Sequence, residues 1–183
     1  MTRTKAALFL AGLFAAMATP ALAALKVGDA APDFSAQVAV GGKDFTFSLS
    51  DALKRGPVVL YFYPKSFTSG CTAEAHAFAE AADQFTALGA SLIGMSSDTI
   101  ATQREFSTKE CRDKFPVAAD PDMSVIRAYD AVMVRMPAVG GVSDRISYVI
   151  APDGKILYAY SDMAPDKHVE NTLAAVRQWK TSH

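Results

Sequence analysis

Val58-Val-Leu-Tyr-Phe-Tyr-Pro-Lys-Ser-Phe-Thr-Ser-Gly-Cys71 is the stretch on which the reading of this chain turns. Its first six residues are an unbroken apolar and aromatic run, the pattern of a strand covered on both faces. Pro64 ends that run, and a short polar loop leads to Cys71. Beyond it, Ala75, Phe78, Ala82 and Phe85 recur at alternating steps of three and four, which predicts a helix over about 72–88 with one buried stripe. Cys71 therefore stands where a buried strand hands over to a helix, one heptad ahead of Phe78 on the stripe. A thiol at that place meets unpaired backbone N–H groups and the positive end of the helix dipole. Both favour the thiolate, the nucleophilic form.

Working outward, Phe34–Val40 and Phe45–Leu49 flank Gly41-Gly42 and read as a hairpin. On the other side, Ser91–Ser96 is a second apolar strand, Ile100–Lys114 a helix, Pro116–Ala119 a strand start and Ser124–Tyr129 a short helix. Ile146–Ile150 and Lys155–Tyr160 flank the turn Ala151-Pro-Asp-Gly154 and form a late hairpin. Asp166 is placed to cap a last helix running to about Trp179. A hairpin, a βαβ unit, then an antiparallel hairpin and a helix make the thioredoxin-like plan: an α/β fold, with a mixed central sheet and helices on both faces.

The chain has 183 residues, half of them hydrophobic, and a formal net charge of −1. That is enough chain for one core, and it carries no basic surface that would suit nucleic acid. The start reads separately. Arg3 and Lys5 precede an apolar run from Ala6 to about Ala18, then Pro20 and Ala21-Leu-Ala23. This is the layout of a cleavable export signal, residues 1–23, cut after Ala23. The run is short of the roughly 20 residues that span a bilayer, so no lasting membrane association is expected. The domain is then 24–183, and the destination is periplasmic or secreted.

There are two cysteines, Cys71 and Cys111, and three histidines, His76, His168 and His183. None is spaced as a metal-ligand pair, so neither a metal nor a cofactor is expected. In an exported protein the plain reading of two cysteines is a structural disulfide. Cys71 read alone is an inert thiol, half of such a bridge, or a nucleophile. Thr68 is placed to hydrogen-bond to the Cys71 sulfur or a bound oxygen, or simply to cap the helix. Pro64 supplies an apolar wall, and Gly70 allows another group close to the helix start. Glu74 in the first turn reads as structural, because a carboxylate there suits the dipole.

Pro64-Lys-Ser-Phe-Thr68-Ser-Gly-Cys71 resembles the PxxxTxxC motif of the peroxiredoxins, and the longer string from Phe62 to Glu74 is similar to the bacterioferritin-comigratory-protein, or peroxiredoxin Q, branch. Gly28-Asp-Ala-Ala-Pro-Asp-Phe34 resembles the family's opening motif, and Asp144-Arg145 through Ile156 its late hairpin. The resemblance runs over essentially the whole mature chain. It implies a thiol peroxidase in which Cys71 attacks a hydroperoxide and becomes a sulfenic acid, with Thr68 and Arg145 beside it and Pro64 and Gly70 lining the substrate. Arg135 is a further arginine within possible reach of the site. Many members of the branch carry a second cysteine five residues after the first; here that residue is His76, turned about 140° around the helix from Cys71. Other members place the resolving cysteine on the following helix, which implies that role for Cys111; a buried, inert Cys111 is the alternative. The reduced thiols are then expected to be apart, with the helix bearing Cys111 opening at Ser107-Thr-Lys-Glu110 to let them meet. The implied reductant is a thioredoxin-like protein or a small thiol, and the branch is often monomeric. Two other readings remain. A thioredoxin-like disulfide reductase needs a CxxC pair, which Cys71-Thr-Ala-Glu74 does not supply. An exported binding module on the same fold would hold a structural Cys71–Cys111 bridge.

Overall fold

The computed structural model describes residues 24–134 and 141–183. The expected export signal and Arg135 lie outside the described residues.

One seven-stranded mixed sheet carries the molecule, in the order β2-β1-β5-β4-β3-β6-β7. The opening hairpin is β1 (Ser35–Val40) and β2 (Lys43–Ser48), and α1 (Leu49–Leu53) follows it. Next come β3 (Val58–Phe62), α2 (Ser69–Ala87), β4 (Ser91–Ser96), α3 (Ile100–Lys109), β5 (Val117–Ala119) and α4 (Ser124–Ala128). The chain ends with β6 (Ile146–Ile150), β7 (Ile156–Ser161) and α5 (His168–Ser182).

The strand that the apolar run predicts is β3, buried at every residue and flanked on both sides. It runs parallel to β4 and antiparallel to β6. Side chains alternate across a strand. Val58, Leu60 and Phe62 accordingly join one core with residues of α1 and α4, while Val59 and Tyr61 join a second with α2, α3 and α5. The apolar stripe of α2, Ala75, Phe78, Ala82 and Phe85, is buried as its spacing requires.

Three boundaries differ from the sequence reading. Helix α2 starts at Ser69, with Thr68 at its N-cap position, so Cys71 lies within the first turn and not ahead of it. Helix α3 stops at Lys109, where Ile100–Lys114 was expected. Arg112 and Asp113 take left-handed backbone angles, φ 52° and 58°, which a continuing helix excludes. Cys111 therefore sits in a turn after α3, its N–H donating to the Phe106 carbonyl at 3.1 Å. The N-cap of α5 is Lys167, not Asp166, and no side chain caps it.

In the register of β3 and β4, Tyr61 lies beside Gly94. A Cβ at Gly94 would stand 2.7 Å from Tyr61 Cζ and 2.8 Å from its hydroxyl oxygen. The strand therefore has to be bare there for the ring to lie down. Gly94→Ala is expected to destabilise the protein by about 1–3 kcal/mol in urea unfolding, and by less when Tyr61 is also Leu. Equal losses in both backgrounds would mean that the ring is not what Gly94 accommodates.

Candidate active site

The loop between β3 and α2 is held by a buried polar network. Tyr63 Oη donates to Gln103 Oε1 at 2.7 Å, and Ser66 Oγ lies 3.3 Å from the same hydroxyl. The Ser66 N–H donates to Asp98 at 2.7 Å, and Gln103 Nε2 donates to Ser96 Oγ at 2.7 Å and to the Ala118 carbonyl at 3.0 Å. Within this frame Phe67 adopts φ 64°, unusual for a bulky residue. Its ring is partly exposed and meets Phe106 edge-on at 5.2 Å, with Lys109 Nζ 5.8 Å from its centroid. Thr68, exposed at the helix start, donates its hydroxyl to the Lys65 carbonyl at 2.9 Å and makes no capping bond to α2. Pro64 and Gly70 are both half-buried.

Cys71 is buried at 2% exposure in the first turn of α2. The Thr72 N–H closes that turn on the Thr68 carbonyl at 2.8 Å. The N–H groups of Ser69, Gly70 and Cys71 precede it and have no partner four residues back within the helix. Arg145 Nη2 donates to Cys71 Sγ at 3.5 Å. Strand pairing brings these residues together, although they are far apart in the chain. Ile146 pairs with Phe62, so the residue ahead of β6 lands beside the end of β3, where the loop to Cys71 departs. Ser143 Oγ ties the same junction by donating to the Tyr63 carbonyl at 2.7 Å. A Cβ at Gly70 would stand 3.2 Å from Arg145 Nη2, so the small residue leaves room for the guanidinium.

All three nitrogens of the guanidinium are engaged. Its Nε donates to the Met163 carbonyl at 3.0 Å, and its Nη1 is in a close ion pair with Glu74 Oε2. Burial works against its charge, but Glu74 and Cys71 beside it outweigh that and raise its pKa. Glu74, expected in the first turn to suit the helix dipole, lies beyond that turn because α2 begins at Ser69, and it is wholly buried at the site. Burial pushes its carboxyl up to about 8, against the pull of Arg145. Its place three residues after Cys71 is the one sequence signal that sets such a glutamate apart from an exposed carboxylate near a helix start. His168, likewise read only as a scattered histidine, is buried with its Nδ1 3.7 Å from Glu74 Oε1. The Tyr61 hydroxyl, stacked by its ring on Phe78 at 4.3 Å, is buried without a hydrogen-bond partner. Burial, and then the nearness of Cys111, Tyr63, Glu74 and Cys71, pushes its pKa well above the usual tyrosine range.

Cys111 is near enough to Tyr61 to act on its hydroxyl. It is buried in the α2-facing core, and both cysteines are free thiols, so the static bridge of the binding-module reading is not formed. Burial first, then Glu110 and Asp113, pushes its pKa well up, which keeps it an S–H. Its turn is stapled to α2 by a hydrogen-bonding contact of His76 Nε2 with Glu110 Oε2 at 2.7 Å and by two ion pairs, Arg112 with Glu80 at 3.3 Å and Lys114 with Asp83 at 3.2 Å. Ser107, expected to belong to a weakly anchored run, is buried instead.

Residues 27–159 match the family model described as the AhpC/TSA family. Peroxiredoxin Q of Oryza sativa subsp. japonica is 35% identical over 147 residues, 80% of this chain. The chain spans 64% of the length of that rice protein. Peroxiredoxin Bcp of Xanthomonas campestris is 30% identical over 123 residues, 66% of this chain and 76% of its own length. The crystal structure of peroxidoxin BcpB from Mycobacterium tuberculosis superposes with a TM-score of 0.74 at 31% identity, covering 84% of this chain and 97% of that one. A PrxQ mutant from Xylella fastidiosa, at 24% identity and a TM-score of 0.76, shares the fold.

The Arg145–Cys71 contact should be readable as thiol reactivity. Arg145→Ala is expected to slow alkylation of Cys71 by iodoacetamide roughly 10- to 100-fold at neutral pH, the worth of one hydrogen bond to a charged group. Gly70→Ala, which crowds the guanidinium, should slow it less. Mass spectrometry of quenched samples measures both; unchanged rates would mean that Arg145 does not act on the sulfur.

Proposed function

The chain belongs to the AhpC/TSA family, the peroxiredoxins, and on that premise we propose that it is a thiol-dependent peroxidase with Cys71 as its nucleophile. The observation that carries this reading is the buried Cys71 sulfur, set in the first turn of α2 with Arg145 Nη2 at 3.5 Å. The Cys71 thiolate attacks the terminal oxygen of a hydroperoxide. An S–O bond forms, the O–O bond breaks, and the departing oxygen leaves as water or an alcohol once it takes a proton. Cys71 becomes a sulfenic acid. A fixed guanidinium and the N–H groups at the helix start face the negative charge that passes from sulfur to the departing oxygen. Hydrogen peroxide and organic hydroperoxides are the substrate class.

Cys111 resolves the sulfenic acid. It is the other thiol of the chain, and its sulfur condenses with Cys71–SOH, releasing water and forming an intramolecular disulfide. Its burial keeps it protonated, and hence unreactive, until its turn opens. The two ion pairs that hold this turn are between exposed groups and are each worth about 0–1 kcal/mol, so opening is inexpensive on their account. A thioredoxin-like protein or a small thiol then reduces the disulfide. The Arg3/Lys5 start, the short apolar run and Ala21-Leu-Ala23 support export to the periplasm or beyond.

Cys71→Ser is expected to abolish peroxide consumption by the folded protein. Arg145→Ala should slow the first oxidation roughly 10²–10³-fold in stopped flow, the scale of losing one preorganised donor. Normal turnover in the folded Ser variant would end the proposal. Cys111→Ser should oxidise once and then stall, unless a small external thiol is added. Non-reducing peptide mapping after one equivalent of peroxide should show Cys71 joined to Cys111 within one chain. If Cys111→Ser turns over normally with a thioredoxin-type donor, Cys111 is not the resolving residue.

A further inference from the structure

Arg145 satisfies one oxygen of Glu74 and leaves the other facing inward. Glu74 Oε1 is buried with no hydrogen-bond partner. His168 Nδ1 lies 3.7 Å from it, on a side chain equally sealed from solvent. The imidazole is held from both ends. Its Nε2 lies 2.9 Å from the Asp162 carbonyl oxygen, which can only accept, so Nε2 carries a proton. Its Nδ1 lies 2.8 Å from Ser147 Oγ on β6. In a neutral ring Nδ1 is therefore a lone pair, turned toward Ser147 and Glu74. If Glu74 were also ionised, Nδ1 would take the Ser147 hydroxyl hydrogen, and Glu74 Oε1 would be a charged acceptor in a dry site with no donor directed at it. Leaving a buried acceptor in that condition costs about 1–3 kcal/mol, more when it is charged. One added proton removes the conflict, either on Glu74, whose carboxyl is then neutral, or on His168 Nδ1, whose positive ring then faces Oε1 across 3.7 Å.

We propose that Glu74 and His168 hold one proton in common, and that this proton leaves the positive charge of Arg145 to Cys71, making His168 a positioning residue that acts through Glu74. With the proton in place the pair is neutral as a whole, and Arg145 and the Cys71 thiolate balance one another. Without it, two anions compete for one guanidinium, and Glu74 is the more closely held. Burial acts on the pair in the same sense: it raises Glu74 and lowers His168, so the doubly charged state of separate ions is disfavoured. The other groups facing the pair are Tyr61 from β3, Tyr160 from β7, whose ring is 4.8 Å from the imidazole, and the Asp162 carboxylate beyond β7.

The inference rests on Cys71 being the nucleophile, but the proton can be counted without any turnover. Infrared spectra of the reduced protein at pH 7 should show the carbonyl stretch of a protonated carboxyl that is absent from Glu74→Gln, or else nitrogen NMR should show both ring nitrogens of His168 protonated. An ionised Glu74 beside a neutral His168 would overturn the proposal, whether or not the protein consumes peroxide. The consequence for reactivity is read from the rate of Cys71 oxidation by hydrogen peroxide against pH. The wild-type rate should drop roughly tenfold over about two pH units beyond the titration of the pair. Glu74→Gln, which cannot ionise, should lose that alkaline fall. His168→Asn should move it about one pH unit lower, since Glu74 then keeps its proton without help. A merely structural His168 would lower the rate evenly at every pH. An alkaline fall that persists in Glu74→Gln, or an unmoved one in folded His168→Asn, would overturn the proposal.

Discussion

The buried guanidinium of Arg145 is the contact around which the site is assembled. It reaches the Cys71 sulfur, the Glu74 carboxylate and the Met163 carbonyl at once, and it belongs to a different part of the chain from each. A charge sealed at 3% exposure is tolerable only with partners on every side. The arrangement is thus all or nothing: removing one partner leaves the others with an uncompensated buried group. Ser143 fixes the approach of β6 to β3, and Tyr63, Ser66, Gln103 and Asp98 fix the loop on the far side.

Sheet register converts this local demand into a fold requirement. Strand β3 is parallel to β4 and antiparallel to β6, so its end at Phe62 is simultaneously the departure point for α2 and the pairing partner of Ile146. A shift of one residue in either pairing would turn every side chain to the other face and carry Arg145 away from Cys71. The same alternation sends Tyr61 toward α2 and Leu60 and Phe62 toward α1 and α4. Both cores therefore bear on the register, and the precision of the site derives from packing well outside it.

The second cysteine is treated differently by the same fold. Cys111 is apolar in its surroundings, is kept as a thiol by burial, and rests on a turn whose two left-handed residues and surface ion pairs are its restraints. Cys71 has a pre-formed charged partner, whereas Cys111 has none of comparable depth. One thiol stands beside a charge, and the other is shut among apolar neighbours.

The local features of the site were legible in the residues themselves. The continuous run Val58–Tyr63 marks a doubly covered strand because its faces carry no polar alternation, and the stripe from Ala75 to Phe85 marks the helix that follows. Cys71 at their junction follows from spacing along a single stretch of chain, and Gly70 as a close-approach point follows from its lack of a side chain. Ends of elements were less legible. The stop of α3 at Lys109 depends on left-handed angles at Arg112 and Asp113, and neither residue type announces them. What tertiary structure alone decided is whatever depends on burial by distant segments. Glu74 and an ordinary glutamate near a helix start are the same residue type, and they differ here because β6 and α5 close over one of them. His168 becomes part of the site for the same reason: desolvation and a partner's charge, which set the state of a titratable group, are properties of the packed volume and not of the chain around it.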